Sequence, residues 1–519
     1  MMPAPKPLRV IILKPSKYAA DGYVERFRWG FMPNSTVPYL RSMLPERVGG
    51  VPCRVEVVDE YVQTDLRYLE LLAGDPHHHT LLALVGVQSH QFQRALDLGA
   101  LARERGVESC VIGGPHAMTC DTSMLHGKGV SFAQAEAEIV WPAILRHAAE
   151  GELLPVYGEE GRWQERLEAP VLVPPSRRDL RRYAVPLLGV YPARGCPFTC
   201  NFCSVIKIAG RQVRSQPIET TLASLRAAKT AGVTAIMFTS DNFNKYGGAP
   251  ELLEGMIDEE LNLPFFVQCD AQVHRQEELL ALMARAGCFQ VFVGAESFSR
   301  EALRGAHKLH NHPEHYARIV ELCRRYGITS HFSNILGFPG DTEKGVRDHL
   351  RTLRLLRPDV ASFYILTPIP GTEQYDEFLS QGLVTERNLD RFDGSNVTWR
   401  HSALPAERLT DLLFHCYREF YAAGDVVAKA LRAGRAARGF RLSQALCATL
   451  GYPALARMGA LRRVHPMAGG IGRRRLDHAR DYAGFRRRCF DLDLAPLPAS
   501  LPLSAHDQAI NRLAKVAEG

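Results

Sequence analysis

The segment RGCPFTCNFCSV carries Cys196, Cys200 and Cys203 in a C-x3-C-x2-C array, the one place where the twelve cysteines cluster. Soft thiolates suit an iron–sulfur cluster or zinc. Structural zinc takes four ligands, commonly as two C-x2-C pairs, and the chain contains no second such pair. Three ligands on a four-iron cube leave one iron open to chelate a small molecule, and the interleaved Phe198 and Phe202 would shield the cluster from water. The array therefore reads as catalytic.

Whatever positions these thiols must begin with Leu188–Tyr191, the apolar run directly before them. It opens a βα series whose further strands are expected at Ala235–Thr239, Phe265–Cys269, Gln290–Gly294, Thr329–Ile335 and Ser362–Leu366, with helices such as Ile218–Ala231 and Glu314–Tyr326 between them. Six parallel units predict a partial (β/α)6 barrel of the TIM type, with its chemistry at the carboxyl ends of the strands.

An earlier series has strands at Leu8–Leu13, Arg54–Val58, Leu81–Val87, Ser109–Ile112 and Gly129–Phe132 and helices at Phe92–Arg105 and Ala137–Ala149. That pattern predicts an α/β, doubly wound, Rossmann-like domain whose ligand sits beyond the strand ends, near Gln88, Ser89 and His90, Gly113 to His116, and Gln134 to Glu136. The expected division is a doubly wound domain over 1–150, a linker over 151–183, the partial barrel over 184–385 and a helical, basic region over 386–519.

The cysteine spacing, with an aromatic just before the last thiol, resembles the cluster motif of the radical S-adenosylmethionine (radical SAM) superfamily, over roughly residues 186 to 372. The resemblance implies a [4Fe–4S] cluster on Cys196, Cys200 and Cys203. It also implies SAM contacts from Asp241 and Asn242 after the second strand, from Glu296 and Ser297 after the fourth and from Asn334 on the fifth. The segments Gly337 to Thr342 and Pro368 to Thr372 follow in the same order. One departure stands out: Thr239-Ser240-Asp241-Asn242-Phe243 replaces the Gly-Gly-Glu of many members.

A doubly wound domain before such a barrel is similar to the cobalamin-binding domain of cobalamin-dependent radical SAM enzymes, with Gln88, Ser89, Gly113, Gly114, Pro115 and His116 as the implied cobalamin contacts. Lys14-Pro15-Ser16-Lys17 stands where many cobalamin proteins carry a D-x-H-x-x-G loop, so no protein imidazole is implied below the cobalt; His77-His78-His79 reads as a polar loop. The activity implied is methyl transfer to a carbon that lacks an acidic proton: one SAM methylates cob(I)alamin, a second is cleaved at the cluster, and the substrate radical collects the methyl group.

Relatives with these two domains also rearrange, cyclise or oxidise substrates. A tRNA methylthiotransferase would need three further cluster cysteines, for which Cys53, Cys110 and Cys120 are the candidates. A non-catalytic iron–sulfur or RNA-binding module is the reading from outside enzymology. The net charge of +7 permits an anionic partner without requiring one, and nucleic acid is not the expected partner. Expected partners are a small-molecule, peptide or lipid substrate and a flavodoxin- or ferredoxin-type electron donor. With no export signal or membrane span read from the sequence, the cysteines are expected reduced in the cytoplasm.

Overall fold

The structure is a computed structural model; it describes residues 6–158, 162–436, 439–466, 469–476, 482–503 and 507–510. Six parallel strands, β1 (Leu8–Lys14), β2 (Val51–Asp59), β3 (His79–Leu84), β4 (Ser109–Gly113), β5 (Ser131–Ala133) and β6 (Val156–Tyr157), form the first sheet in the order β2-β1-β3-β4-β5-β6, and Arg47–Val48 adds a short antiparallel edge. Every residue of β1 is buried, because both faces are covered. Ile11, Leu13, Leu82 and Ile112 pack with helix Phe92–Glu104 on one side, and Val10, Ile12, Ala83 and Val111 pack with helix Ala137–Glu150 on the other. Such double coverage is why the central strands read as mainly apolar runs. Strand order reverses at β1/β3, the place where ligands bind in doubly wound sheets.

The segment expected to be a linker over 151–183 supplies β6, which pairs with β5 through Phe132–Val156 and Ala133–Tyr157, and a short helix, Arg177–Leu180. Two residues are too few to show a strand period in sequence, so the sheet runs past the expected boundary at residue 150.

The second sheet holds β7 (Leu188–Val190), β8 (Ile236–Phe238), β9 (Phe265–Cys269), β10 (Cys288–Glu296), β11 (Thr329–Leu336) and β12 (Val360–Ile365), six parallel strands in sequential order. All six match the expected runs within a few residues. β12 is the last strand of this open half-barrel, and its free backbone groups are capped by tyrosines. Tyr417 Oη on helix Ala406–Phe420 accepts from Phe363 N and donates to Phe363 O, both at 3.0 Å, and Tyr421 Oη accepts from Ala361 N at 2.9 Å and donates to Ala361 O at 2.6 Å.

The C-terminal region is largely helical, with one departure. Gly470–Arg474 is a strand, antiparallel to Arg26–Gly30 from the β1–β2 connection. Farther on, Phe490 and Ala495 are buried in the core of the first sheet, and Arg486 clasps Asp97 through Nε–Oδ1 at 2.8 Å and Nη2–Oδ2 at 2.6 Å. Among the described residues no helix is long and apolar enough to cross a membrane.

Candidate active site

The loop after β7 carries the three thiols, and its neck is a two-stranded ribbon, Ala193–Arg194 against Arg214–Ser215. Gly195 enters the loop at φ +104°, and a Cβ there would stand 2.2 Å from Gln212 O, so only glycine makes this turn. Its N–H donates to Asp241 Oδ2 at 2.7 Å, and Cys196 N donates to Gly210 O at 3.1 Å. Cys200 O accepts from Cys203 N at 3.2 Å, which turns the chain so that these two thiols share one side.

Burial pushes all three thiols above the ordinary cysteine range, and the charge of each neighbouring thiolate adds to the upward push on Cys200 and Cys203. Such mutual repulsion among buried thiolates is relieved when they share a cationic cluster, so the donor set fits iron–sulfur ligation. Among the described residues no three His, Cys, Asp or Glu side chains converge on the position of a single ion.

Phe198 and Phe202 are half-buried and have partners that the sequence did not reveal. Phe198 stacks on His310 with centroids 3.5 Å apart, and the ammonium groups of Lys245 and Lys308 lie over Phe198 and Phe202 at 5.4 and 5.7 Å. Burial and those two cations push His310 down to about 2, so it is a neutral ring.

The residues expected to hold SAM divide into two groups. Asn242 Nδ2 lies 4.0 Å from Cys196 Sγ and donates to Asp270 Oδ2 at 2.8 Å. Glu296 ends β10 at a register shift in the β10–β11 ladder and takes φ +62°, the left-handed region that a β-carbon disfavours. Its carboxylate accepts from Lys308 Nζ at 2.9 Å and from Ser333 Oγ at 3.2 Å. The charge of Lys308 also reaches Cys200, so Glu296, Lys308 and the thiols share one neighbourhood.

Ser297 is buried beside them, its N–H on Ala295 O at 2.8 Å and its Oγ accepting from Ser299 N at 3.1 Å. Asn334 does not join this group. Its Nδ2 donates to Phe332 O and Ser362 O, its Oδ1 meets His349 Nε2 at 2.9 Å on helix Glu343–Leu356, and it is fully buried. Side chains alternate along β11, so Ser333 faces Glu296 and Asn334 faces the outer helix. Asp270, Lys308 and Ser333 are the residues that the sequence reading missed; the rule of strand alternation would have exchanged Asn334 for Ser333.

A cavity of about 260 Å³ lies between the carboxyl ends of the first sheet and the rim of the half-barrel, with Gly86, Gly113, Gly114 and Ala133 on one side and Tyr191, Thr239 and Asp241 on the other. Small side chains leave its floor open. A Cβ on Gly114, at φ +131°, would stand 2.3 Å from Val87 N, so the β4 turn packs directly on the β3 turn. Gly113, Gly114 and Pro115 line this cavity, whereas Gln88, Ser89 and His116 are not among its lining residues.

Gln88 is exposed and its N–H is capped by Gln91 Oε1 at 3.1 Å. His116 lies in the short helix Pro115–Thr119 and turns into the core, with Nδ1 3.0 Å from Ser89 Oγ and its ring stacked on Phe92 at 3.8 Å; burial lowers it to about 3. Under the floor, Lys14 Nζ donates to Gly86 O and to Gln91 Oε1, tying the end of β1 to that of β3. His78 pairs with Asp75 in a polar loop, whereas His79 opens β3 rather than belonging to that loop and pairs with Glu108. Cys53 and Cys110 lie on β2 and β4, three strand positions and thus about 14 Å apart, so they cannot share a cluster.

Residues 190–353 match the family model of the radical SAM superfamily. The chain is 25% identical over 374 residues to the bacteriochlorophyllide d C-12(1)-methyltransferase of Chlorobaculum tepidum, covering 69% of this chain and 79% of that one. Among solved structures it resembles the radical SAM methyltransferase TsrM of Kitasatospora setae, with a TM-score of 0.58 at 19% identity over 72% of this chain and 76% of that chain. It also resembles the cobalamin-dependent SAM radical enzyme OxsB, with a TM-score of 0.56 at 14% identity over 87% and 72%. Family match, half-barrel and buried thiol loop agree: residues 190–353 of this enzyme form a radical SAM domain.

Proposed function

We propose that the chain is a cobalamin-dependent radical SAM methyltransferase that methylates a carbon of a small-molecule substrate, with Cys196, Cys200 and Cys203 holding the [4Fe–4S] cluster. One observation carries the reading: the cavity at the carboxyl ends of the first sheet shares a wall, at Thr239 and Asp241, with the half-barrel rim beside the thiol loop. A methyl carrier on the first sheet and SAM on the second would thus meet across one dry space. When bound, the cluster supplies the electron that activates SAM, and cobalamin supplies the methyl group that the substrate carbon receives.

The chain's own residues position and enclose. Asn242 held by Asp270, and Glu296 held by Lys308 and Ser333, offer fixed polar groups beside the open face of the thiol loop. Phe198 and Phe202, with their stacked and cationic partners, keep water from it. Gly113, Gly114 and Pro115 leave room for a flat ligand. We assign the reaction to the cytoplasm, with an external one-electron donor of the flavodoxin or ferredoxin kind.

Anaerobic purification with metal analysis tests the assignment. The expected result is iron near four and cobalt near one per chain, the values set by the two proposed cofactors, with S-adenosylhomocysteine formed only when cobalamin is present. Cys203→Ala is expected to lose the iron and its absorbance while keeping the far-ultraviolet circular dichroism of the parent. Iron retained in that variant would overturn the ligand assignment, and a product with an unchanged carbon count would overturn methyl transfer.

A further inference from the structure

Arg194 and Arg214 stand directly opposite each other in the ribbon that forms the neck of the thiol loop. Like charges facing across an antiparallel pair repel, and both guanidiniums are largely buried. The ribbon has only two residues per strand, so its own ladder cannot offset that repulsion. The neutralising charge comes from the first sheet.

Glu136, just after β5, is 5% exposed, and its carboxylate accepts from Arg214 Nη2 on Oε1 and Arg214 Nη1 on Oε2, both at 2.8 Å, and from Arg194 Nη1 at 3.3 Å. Gln164 N completes the set at 2.9 Å. Glu138, from the start of the next helix, holds the other side of Arg194 at 2.9 Å. Arg214 also donates to Ala209 O at 2.8 Å, so the same carboxylate is tied to both the near and the far end of the loop that carries the thiols. Glu136 itself lines the cavity at the ends of the first sheet.

We propose that Glu136 is a positioning residue that couples the two cofactor sites: it makes the geometry of the thiol loop contingent on the docked first sheet, and a corrinoid in the cavity tightens that loop. The inference rests on the proposed cobalamin reading for its second half only. Linkage is reciprocal, so ordering of the loop by cluster and SAM strengthens corrinoid binding by the same factor.

The test is amide hydrogen exchange of the full chain with hydroxocobalamin as the probe, in the parent and in Glu136→Gln, which keeps the shape and removes the charge. In the parent, hydroxocobalamin is expected to slow exchange across residues 193–215 by about fivefold or more, the scale of a typical coupling. In Glu136→Gln, exchange over 193–215 is expected to be fast, and hydroxocobalamin still binds without slowing it, a separation that a merely structural role would not produce. Slowing that survives in the variant overturns the coupling, as does a parent that binds hydroxocobalamin with no change over 193–215. Should Glu136→Gln fail to fold, Arg214→Gln, which removes one of the two facing cations, is measured instead and is expected to uncouple in the same way. A parent that does not bind hydroxocobalamin overturns the cobalamin reading, while unprotected exchange over 193–215 in the variant would still establish the clasp.

Discussion

Asn334 and Glu296 are paired on neighbouring strands and both carry side chains that suit SAM, yet the structure gives them different work. Every hydrogen-bonding group of Asn334 is spent on Phe332, Ser362 and His349. Replacing it by alanine strands a backbone carbonyl and a buried histidine, which costs about 1–3 kcal/mol of stability. Asn334→Ala is therefore expected to melt several degrees lower with SAM affinity unchanged. Glu296→Gln is expected to melt lower too, because Lys308 is left without its counter-charge, and also to weaken SAM binding about tenfold, as loss of one charged contact does. Calorimetric titration of SAM into both cluster-loaded variants separates the roles; equal SAM affinities in the two would remove Glu296 from the site. The residue types of the site were legible in sequence and their faces were not. Cys196, Cys200 and Cys203 announce themselves by spacing, whereas the partners Lys308, Ser333 and Asp270 are ordinary polar residues until folding gathers them.

At the scale of elements, the half-barrel poses a problem that a closed barrel lacks: β12 has an outer edge. Exposed ladder groups invite pairing with other chains, and here two tyrosine hydroxyls satisfy them, with His465 Nε2 adding a second donor to Phe363 O at 2.8 Å. Tyr417→Phe leaves Phe363 N–H buried and unpaired, which is expected to cost about 1–3 kcal/mol. Thermal unfolding and light scattering check it: the midpoint should fall and aggregation should begin earlier, and an unchanged midpoint would mean that the cap is idle. The central strands of the first sheet were legible because they are buried on both faces and read as apolar runs. The strand Gly470–Arg474 was not, since GIGRR has no β pattern of its own and forms only against Arg26–Gly30, far away in the chain. His116 was misplaced for a related reason. It follows a ligand-facing turn, but the helix that starts at Pro115 rotates it into the core.

Over the whole molecule the two sheets are cross-stitched rather than strung in series. The β1–β2 connection pairs Arg26–Gly30 with the C-terminal strand, Lys17 meets Asp393, Glu136 holds Arg214, and the C-terminal helix returns to place Arg486 on Asp97. Each contact crosses between segments that a linear domain division would separate, so neither sheet keeps its surroundings when the other unfolds. The expected consequence is one cooperative unfolding transition for the cluster-free chain, observed at the same midpoint by circular dichroism and by tryptophan fluorescence. Arg486→Met tests how far the stitching carries. Asp97 is fully buried, and Tyr18 Oη at 2.6 Å is too weak a donor to replace a bidentate guanidinium, so the variant leaves a buried carboxylate uncompensated. Breaking such a pair from one side costs about 3–5 kcal/mol, and the whole transition should move down by that amount while staying single. Should the first sheet instead melt alone, in an early separate step with the half-barrel unaffected, the sheets would be independent units and the coupling assigned to Glu136 would have no rigid frame through which to act.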